Sequence, residues 1–251
     1  MDLAALSNIS IGTASWNIPK QSSDLFSIGG SHLERYASRF PAVEINTSFY
    51  RLHKPTTYQR WSRTVPESFR FAVKAPRQLT HQQRLRTTEG LNPFLEGVTQ
   101  LGEKLGTILI QLPPSLRFQP ALVSNFFDTV RGRFPGSLVC EPRHASWFTR
   151  EAEGLLASFE VARAAADPAV VPLAAQPGGW TGLVYYRLHG SPQIYYSSYS
   201  PSYLDALAAE LQTWVRSGAK TWCIFDNTAE GAATLNGLQL LERLDSRSDP
   251  V

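Results

Sequence analysis

Short apolar segments alternate with amphipathic segments along most of this chain. The apolar segments are rich in Val, Ile, Leu and Phe, which is typical of buried β-strands. The amphipathic segments repeat their apolar residues at helical spacing. The predicted strands are residues 9–15, 42–46, 69–75, 107–112, 137–141, 161–166, 183–189 and 221–226. The predicted helices are residues 31–40, 55–62, 94–105, 120–133, 150–159, 203–216 and 234–244.

Strictly alternating strands and helices predict a parallel sheet. Eight such units in 251 residues favour a closed (β/α)8 TIM-type barrel. The alternative, an open doubly wound sheet, would carry a glycine-rich phosphate turn after its first strand, and only Gly12 stands there. Residues 167–182 are rich in Pro, Gly and Ala, so we expect the helix between strands six and seven to be missing or reduced. No linker divides the chain, which predicts a single domain over residues 1–251.

Composition restricts the class of protein further. Apolar residues make up 43% of the chain and charged residues 18%, which is globular rather than disordered composition. A net charge of +3 is too small to argue for nucleic acid by itself. Cys140 and Cys223 lie in predicted strands without a CxxC motif, so we expect buried free thiols. No signal peptide or membrane span is evident, which favours a cytoplasmic protein without a membrane partner.

Charged residues end several of the buried strands, which is the strongest functional signal in the sequence. Glu44, Lys74, Glu141, Arg187 and Asp226 each follow or interrupt an apolar run. Burial of a lone charge is costly, so each of these groups needs a partner, a ligand or water. Because the carboxyl ends of parallel strands meet at one face, we expect a shared polar pocket at the mouth of the barrel.

The two-residue period of a strand selects the side chains that share a direction with these charges. It adds polar groups that are suited to acid/base work or to binding an anion. The added candidates are Asn46, Gln111, Arg143 and His189, with His144 and Asn227 directly after their strands. A salt-bridge network that closes the top of the barrel, with no substrate, is the open alternative.

Aromatic side chains also follow the predicted strands. Trp16, Tyr50 and Trp147 come shortly after the first, second and fifth strands, and Tyr195 follows the seventh. Such rings can stack on a sugar or a base, or they can simply form loop cores. We include Trp16, Tyr50 and Trp147 among the candidate substrate-binding residues.

Metal and cofactor sites are weakly supported by the sequence. Two carboxylates and a histidine on different strands could hold Mn²⁺ or Mg²⁺. However, Lys74, Arg143 and Arg187 would place positive charge in the same space. No GxSxG nucleophile motif is present. We therefore expect neither a metal nor a cofactor.

Six ordered motifs resemble the YecE-like family of bacterial proteins, a domain of unknown function (DUF72). The matching stretches are Ile11-Gly12-Thr13-Ala14-Ser15-Trp16, Val43-Glu44-Ile45-Asn46-Thr47-Ser48-Phe49-Tyr50, Phe71-Ala72-Val73-Lys74-Ala75-Pro76, Gln111-Leu112-Pro113-Pro114, Glu141-Pro142-Arg143-His144-Ala145-Ser146-Trp147-Phe148 and Tyr186-Arg187-Leu188-His189-Gly190. The resemblance covers about residues 9–241 and implies a TIM-type barrel, but no reaction. Two departures are a shorter loop after Trp16 and Asp226 where two asparagines are more usual.

Two hypotheses for function follow from these residues. The first is an enzyme without a cofactor, a hydrolase or isomerase, that acts on a small sugar-like or phosphorylated compound. Glu44 and Glu141 would be its acid/base pair, His189 would move a proton, and the cations would bind the anionic group. The alternative is a non-catalytic barrel that binds nucleic acid or a ligand, with its surface extended by Arg60, Arg63, Arg84 and Arg86.

The two glutamates separate a catalytic role from a structural one. If Glu44 faces a wet pocket, Glu44→Gln should change the free energy of unfolding by less than about 1 kcal/mol. Glu141 has Arg143 two residues away and is the stronger candidate for an ion pair. We therefore expect Glu141→Gln to cost more than about 1 kcal/mol.

Overall fold

The computed structural model describes residues 8–246, which form ten strands and seven α-helices. The strands are β1 (Ile9–Thr13), β2 (Ala42–Ile45), β3 (Arg70–Lys74), β4 (Leu105–Gln111), β5 (Leu138–Glu141), β6 (Val161–Arg163), β7 (Ala165–Asp167), β8 (Gly178–Gly179), β9 (Leu183–Leu188) and β10 (Lys220–Phe225). The helices are α1 (His32–Ala37), α2 (Pro55–Thr64), α3 (Leu91–Val98), α4 (Pro120–Arg131), α5 (Arg150–Ser158), α6 (Pro201–Arg216) and α7 (Ala232–Ser246). None of these helices is both long enough and apolar enough to cross a membrane.

The strands form two sheets in a mixed α/β fold. One sheet has four strands in the order β1-β10-β9-β7, and the other has six in the order β2-β3-β4-β5-β6-β8. Every strand pair is parallel except β6 with β8. Parallel pairing with helical connections agrees with the prediction from the sequence. It brings the carboxyl ends of the strands of each sheet to one edge.

The hydrogen-bonded ladder does not close into a single barrel within residues 8–246. Residues 161–166, predicted as one strand, are divided at Ala164 into β6 and β7. The first part pairs with β5 and the second with β9, so one extended segment serves both sheets. The Ala164 amide still donates to the carbonyl of Cys140 at 2.9 Å, which keeps the segment attached at the division.

The backbone hydrogen-bonded ladder is also interrupted between β1 and β2, where the side chain of Tyr36 links the two strands instead. The amide of Thr13 donates to the hydroxyl of Tyr36 at 2.9 Å, and that hydroxyl donates to the carbonyl of Ala42 at 3.0 Å. Gly12 lies so close to β2 that a methyl group at its Cα would overlap the Ala42 carbonyl. The two strands therefore lie side by side, joined through a phenol from α1.

Helix starts follow the local sequence signals. Ser31 and Glu34 form a reciprocal capping box at the start of α1. Proline occupies the first turn of α2 and α4, where its missing amide costs no hydrogen bond. Ser200 accepts from the amide of Tyr203, so α6 begins at residue 201, slightly before the predicted start.

The predicted helix 94–105 is wrong at both ends. It starts at Leu91, directly after Gly90 in a left-handed conformation. It ends at Val98 and continues as a 3₁₀ helix that is broken at Gly102, where φ is 59°. Leu105, the predicted last residue of the helix, instead begins β4. The prediction for residues 167–182 agrees with the structure, which has a 3₁₀ turn and β8 there but no α-helix.

The core consists of three apolar clusters. Two of them fill the space between the sheets and the surrounding helices. The third lies between the two sheets and takes side chains from both of them. Its members include Ala42, Ala72, Leu109, Val139, Ala162, Tyr185 and Ile224. Residues two positions further along these strands point the same way, and except after Ala162 they are the candidate site residues.

The close approach of β1 and β2 predicts a large difference between two glycine substitutions. Gly12→Ala should lower the free energy of unfolding by about 1–3 kcal/mol, because the new methyl group meets a backbone carbonyl. Gly154→Ala, in the exposed part of α5 with open space around it, should instead be neutral or stabilise by up to about 1 kcal/mol. Denaturant unfolding of both variants measures the difference, and equal effects would contradict the close packing of β1 against β2 at Gly12.

Candidate active site

A single guanidinium organises the charged residues at the strand ends. Arg187, near the end of β9, is fully buried. Its Nη2 donates to Glu44 Oε1 at 2.7 Å and lies 3.0 Å from Asp226 Oδ2. Its Nη1 donates to Glu141 Oε2 at 3.2 Å. Burial opposes the charge, but the carboxylates of Asp226, Glu44 and Glu141 outweigh it and hold the pKa of Arg187 well above its usual value.

Glu44 is an ion-pair partner rather than a group in a wet pocket. It is fully buried, and Arg187 Nε donates to both of its oxygens at 3.1 and 3.2 Å. The hydroxyl of Tyr185 also donates to Glu44 Oε2 at 2.7 Å. Burial and the Glu44 carboxylate raise the pKa of Tyr185, which keeps that hydroxyl protonated. The wet pocket assumed for Glu44 is therefore wrong, and with it the basis for expecting Glu44→Gln to change the free energy of unfolding by less than about 1 kcal/mol.

His189 lies between two carboxylates from different strands. Its Nδ1 is 2.9 Å from Asp226 Oδ2, and its Nε2 is 3.0 Å from Glu141 Oε1. Arg143 also contacts Glu141 and His189, so Glu141 has the predicted arginine partner. Although burial favours their neutral forms, Arg143 and Arg187 hold the pKa of Glu141 well below its usual value, and Arg187 and His189 lower that of Asp226.

Lys74 differs from the other cations of the site. Its side chain is buried at the end of β3, with only 8% of the residue exposed. Within residues 8–246 its Nζ has no hydrogen bond and no ion pair, and it lies 4.3 Å from the centre of the Phe49 ring. Burial and the charge of Arg187 lower the pKa of Lys74 to about 8, despite the carboxylates nearby.

Two polar atoms without partners lie at this end of the sheets, and one of them belongs to a residue that lines a cleft. Arg143 Nε and Asn46 Oδ1 are buried and have no partner in the described chain. Buried polar atoms are normally satisfied, so such atoms indicate a place for water or a ligand. The cleft has a volume of about 240 Å³. It is lined by His81, Gln111, Leu112, Pro114, Arg143, Ile194 and Tyr195.

Other candidate residues support loops in the structure. Trp147 is fully buried in the core, and its indole donates to the carbonyl of Leu116. His144 caps the following turn by accepting from the amide of Ser146. Asn227 donates to the carbonyl of Ser197. These contacts explain the three residues as structural, and their contact with a substrate stays a prediction.

The two remaining aromatic candidates lie outside the ion cluster. Trp16 packs edge-on against Trp61, with 5.0 Å between the ring centres. Tyr50 is 74% exposed and contacts Phe49.

Two polar candidates also lie near the cluster. Asn46 reaches Asp226 Oδ1 only at 3.5 Å, which is a weak hydrogen bond. Gln111 lines the cleft.

Several contributors to the site were not selected from the sequence. Tyr185 could have been found, because it precedes Arg187 by two residues on the same strand face. Phe49, beneath the Lys74 amine, and Tyr195, at the cleft, lie on loops where no periodicity fixes the direction of a side chain. His81 lines the same cleft and packs against Phe49.

Two other expectations concern metals and an extended basic surface. Within residues 8–246, no three His, Cys, Asp or Glu side chains form a possible metal-binding group. Arg60 and Arg63 lie on α2, whereas Arg84 donates to the hydroxyl and carbonyl of Ser115. These arginines lie on separate elements of the fold.

The fold and the site define a mixed α/β protein with an ion cluster at the carboxyl ends of parallel strands. Residues 10–251 match the family described as "Protein of unknown function DUF72", and the chain belongs to that family. It is 35% identical over 148 residues to the UPF0759 protein YecE of Escherichia coli, an alignment that covers 58% of this chain and about half, 52%, of YecE. It is 26% identical to YunF of Bacillus subtilis, with 85% of this chain and 86% of YunF covered.

Solved structures support the same fold. A DUF72 family protein from Enterococcus faecalis has a TM-score of 0.77 at 23% identity, covering 94% of this chain and 95% of that one. Another from Thermotoga maritima has a TM-score of 0.77 at 22% identity, covering 94% and 99%. At these identities the similarity shows the fold alone.

The pairing of Glu44 predicts a marked loss of stability on its neutralisation. Glu44→Gln should lower the free energy of unfolding by about 3–5 kcal/mol, because it leaves the buried Arg187 short of one carboxylate. Glu96→Gln, at an exposed position of α3, should stay within about 0.5 kcal/mol of the parent protein. Urea unfolding at neutral pH tests both variants. A loss below about 1 kcal/mol for Glu44→Gln would return that residue to the list of possible catalytic bases.

Proposed function

We propose that this end of the strands is the active site of an acid/base enzyme that uses its own side chains on a small polar or anionic compound. The observation that carries the proposal is the position of His189 between Asp226 and Glu141. A histidine held by carboxylates on both nitrogens is well placed to move protons. The adjoining cleft and the unpartnered Arg143 Nε supply space and a donor for a ligand.

The roles of the two glutamates differ in this proposal. Glu44 binds Arg187 with both oxygens and also accepts from Tyr185, so it positions the cluster. Glu141 and His189 are the proton-transfer groups. Arg143 and Gln111 bind the substrate from the cleft wall. Arg187 already forms ion pairs with three carboxylates. These pairs balance its positive charge, so Arg187 does not bind the substrate anion in this proposal.

Proton abstraction beside a carbonyl is favoured over glycoside hydrolysis. Hydrolysis of a glycoside requires one carboxylic acid that stays protonated, which needs a raised pKa. The pKa values of Glu141 and Asp226 are lowered, and Glu44 is bound on both oxygens by a guanidinium. Glu141 and Asp226 are therefore ionised at neutral pH and carry no proton to donate to a leaving group. An isomerase-type reaction therefore fits the site better.

We further propose that the two sheets act as one (β/α)8 TIM-type barrel. Three observations support this frame: the shared inner cluster, the segment that serves both sheets and the side-by-side position of β1 and β2. In such barrels the catalytic groups lie at the carboxyl ends of the strands. The ion cluster lies at the corresponding place.

Binding of a simple anion tests the site without knowledge of the substrate. Inorganic phosphate at millimolar concentration should raise the melting temperature by a few degrees, because a ligand that binds only the folded state stabilises it. Arg143→Gln should reduce this shift. Arg133→Gln, at an exposed position outside the cleft, should keep it. No shift up to tens of millimolar phosphate, at constant ionic strength, would contradict an anion-binding site.

Solvent exchange tests the chemistry itself. Dihydroxyacetone phosphate, a small ketone with an anionic group, serves as the probe in D₂O. The protein should accelerate exchange of its carbon-bound hydrogens, as followed by NMR, because a base beside the carbonyl removes one of them. Glu141→Gln and His189→Asn should abolish the acceleration, whereas Arg133→Gln should retain it. Phosphate binding without any exchange would support the non-catalytic alternative.

A further inference from the structure

The chain contains five lysines, of which two are buried in very different surroundings. Lys104 is 6% exposed, and its amine donates to the carbonyls of Ser62 and Val65 at 2.8 Å each. It also pairs with Glu67 at 3.3 Å. Lys104 is thus a fully satisfied structural cation. The equally buried Lys74 has none of these partners within residues 8–246.

The carboxylates around Lys74 are already engaged by other cations. Arg187 binds Glu44, Glu141 and Asp226, and Arg143 adds a second partner for Glu141. Lys74 is therefore not required for the ion pairs of the cluster. Its amine lies instead on the Phe49 ring, which also contacts His81 at the cleft. An amine on a largely buried side chain without a structural partner is an unusual and costly feature.

An amine in this environment is reactive near neutral pH. With a pKa of about 8, roughly a tenth of Lys74 is neutral at pH 7, compared with less than about a thousandth for an ordinary lysine. Burial together with a neighbouring cation is a recognised way to activate a lysine as a nucleophile. The guanidinium of Arg187 supplies that cation here.

We infer that Lys74 is a nucleophile that forms a Schiff base with the carbonyl carbon of a small anionic aldehyde or ketone. The inference rests on the proposed function, since the same cleft must admit the substrate. It names the substrate class, which the acid/base proposal alone leaves open, as a carbonyl compound with a phosphate or carboxylate group.

The chemical step balances without an oxidant or reductant. The lone pair of neutral Nζ forms a bond to the carbonyl carbon, and the carbonyl π electrons move to oxygen. One nitrogen proton is transferred to that oxygen, which gives a carbinolamine. The hydroxyl then takes a proton supplied by the solvent and leaves as water, while the nitrogen lone pair forms the C=N bond of a protonated imine.

A protonated imine at Lys74 activates the bound substrate for loss of a proton. It withdraws electrons from the neighbouring carbon, so that a C–H bond there loses its proton more easily. Glu141, whose pKa is lowered, is then available as the acceptor of that proton, either directly or through His189. The site would contain a nucleophile and a separate base.

Trapping with a hydride reagent tests the inference on the whole chain. The protein is incubated with dihydroxyacetone phosphate, the imine is reduced with cyanoborohydride, and the modified lysines are located by peptide mass spectrometry. We expect Lys74 to be labelled at least tenfold more than Lys104 or an exposed lysine such as Lys54 at pH 7, since far more of it is neutral. Its labelling should rise through pH 8, where about half of the amine is neutral, and level off about one pH unit higher.

Matched variants separate this inference from the proposed function. Lys74→Met and Lys104→Met each remove one buried amine, and circular dichroism and melting establish whether each variant folds. Only Lys74→Met should abolish specific labelling. If folded wild-type protein binds phosphate and catalyses exchange but is not labelled preferentially at Lys74, the Schiff base is wrong and the acid/base site stands. If Lys74→Met does not fold, uniform labelling of the wild-type lysines alone overturns the inference.

Discussion

One buried guanidinium determines how the rest of this structure is arranged. Arg187 is fully buried and makes no contact with bulk water, so its charge is stable only while carboxylates surround it. Glu44 and Glu141 come from the six-stranded sheet, whereas Arg187 and Asp226 belong to the four-stranded sheet and the residue after it. The ion cluster therefore ties the two sheets to each other. It also sets the electrostatic field in which His189 and Lys74 lie.

The candidate site could be predicted in outline because strand geometry is local. The two-residue period is enough to place Glu44, Lys74, Glu141 and Arg187 on inward-facing positions next to small apolar residues such as Ala72. Which charges pair is not local. Glu44 and Arg187 meet across the interior from strands more than a hundred residues apart, at a distance set by the inner layer of side chains. The dry environment of Glu44 could not be derived from its own strand.

The fold was predictable to a similar extent. Apolar patterning reports which residues are buried, and it correctly indicated alternating strands and helices. It does not report which backbone group accepts each hydrogen bond. The change of partner at Ala164 is therefore invisible in the sequence, and so is the use of the Tyr36 hydroxyl between β1 and β2. Likewise, Gly90 and Gly102, both with positive φ, interrupt the chain around α3, so the helix does not cover the predicted residues 94–105.

The two sheets are connected by two interactions of different chemistry. One is the neutral Tyr36 hydroxyl between β1 and β2, and the other is the Glu44–Arg187 ion pair between β2 and β9. Acid that protonates carboxylates weakens only the ion pair, whereas detachment of α1 removes only the phenolic hydrogen bonds. Because β2 is linked to β1 and to β9 of the other sheet by different groups, loss of one link leaves the other in place. The outer helix layer and the inner charge cluster thus both hold the two sheets together.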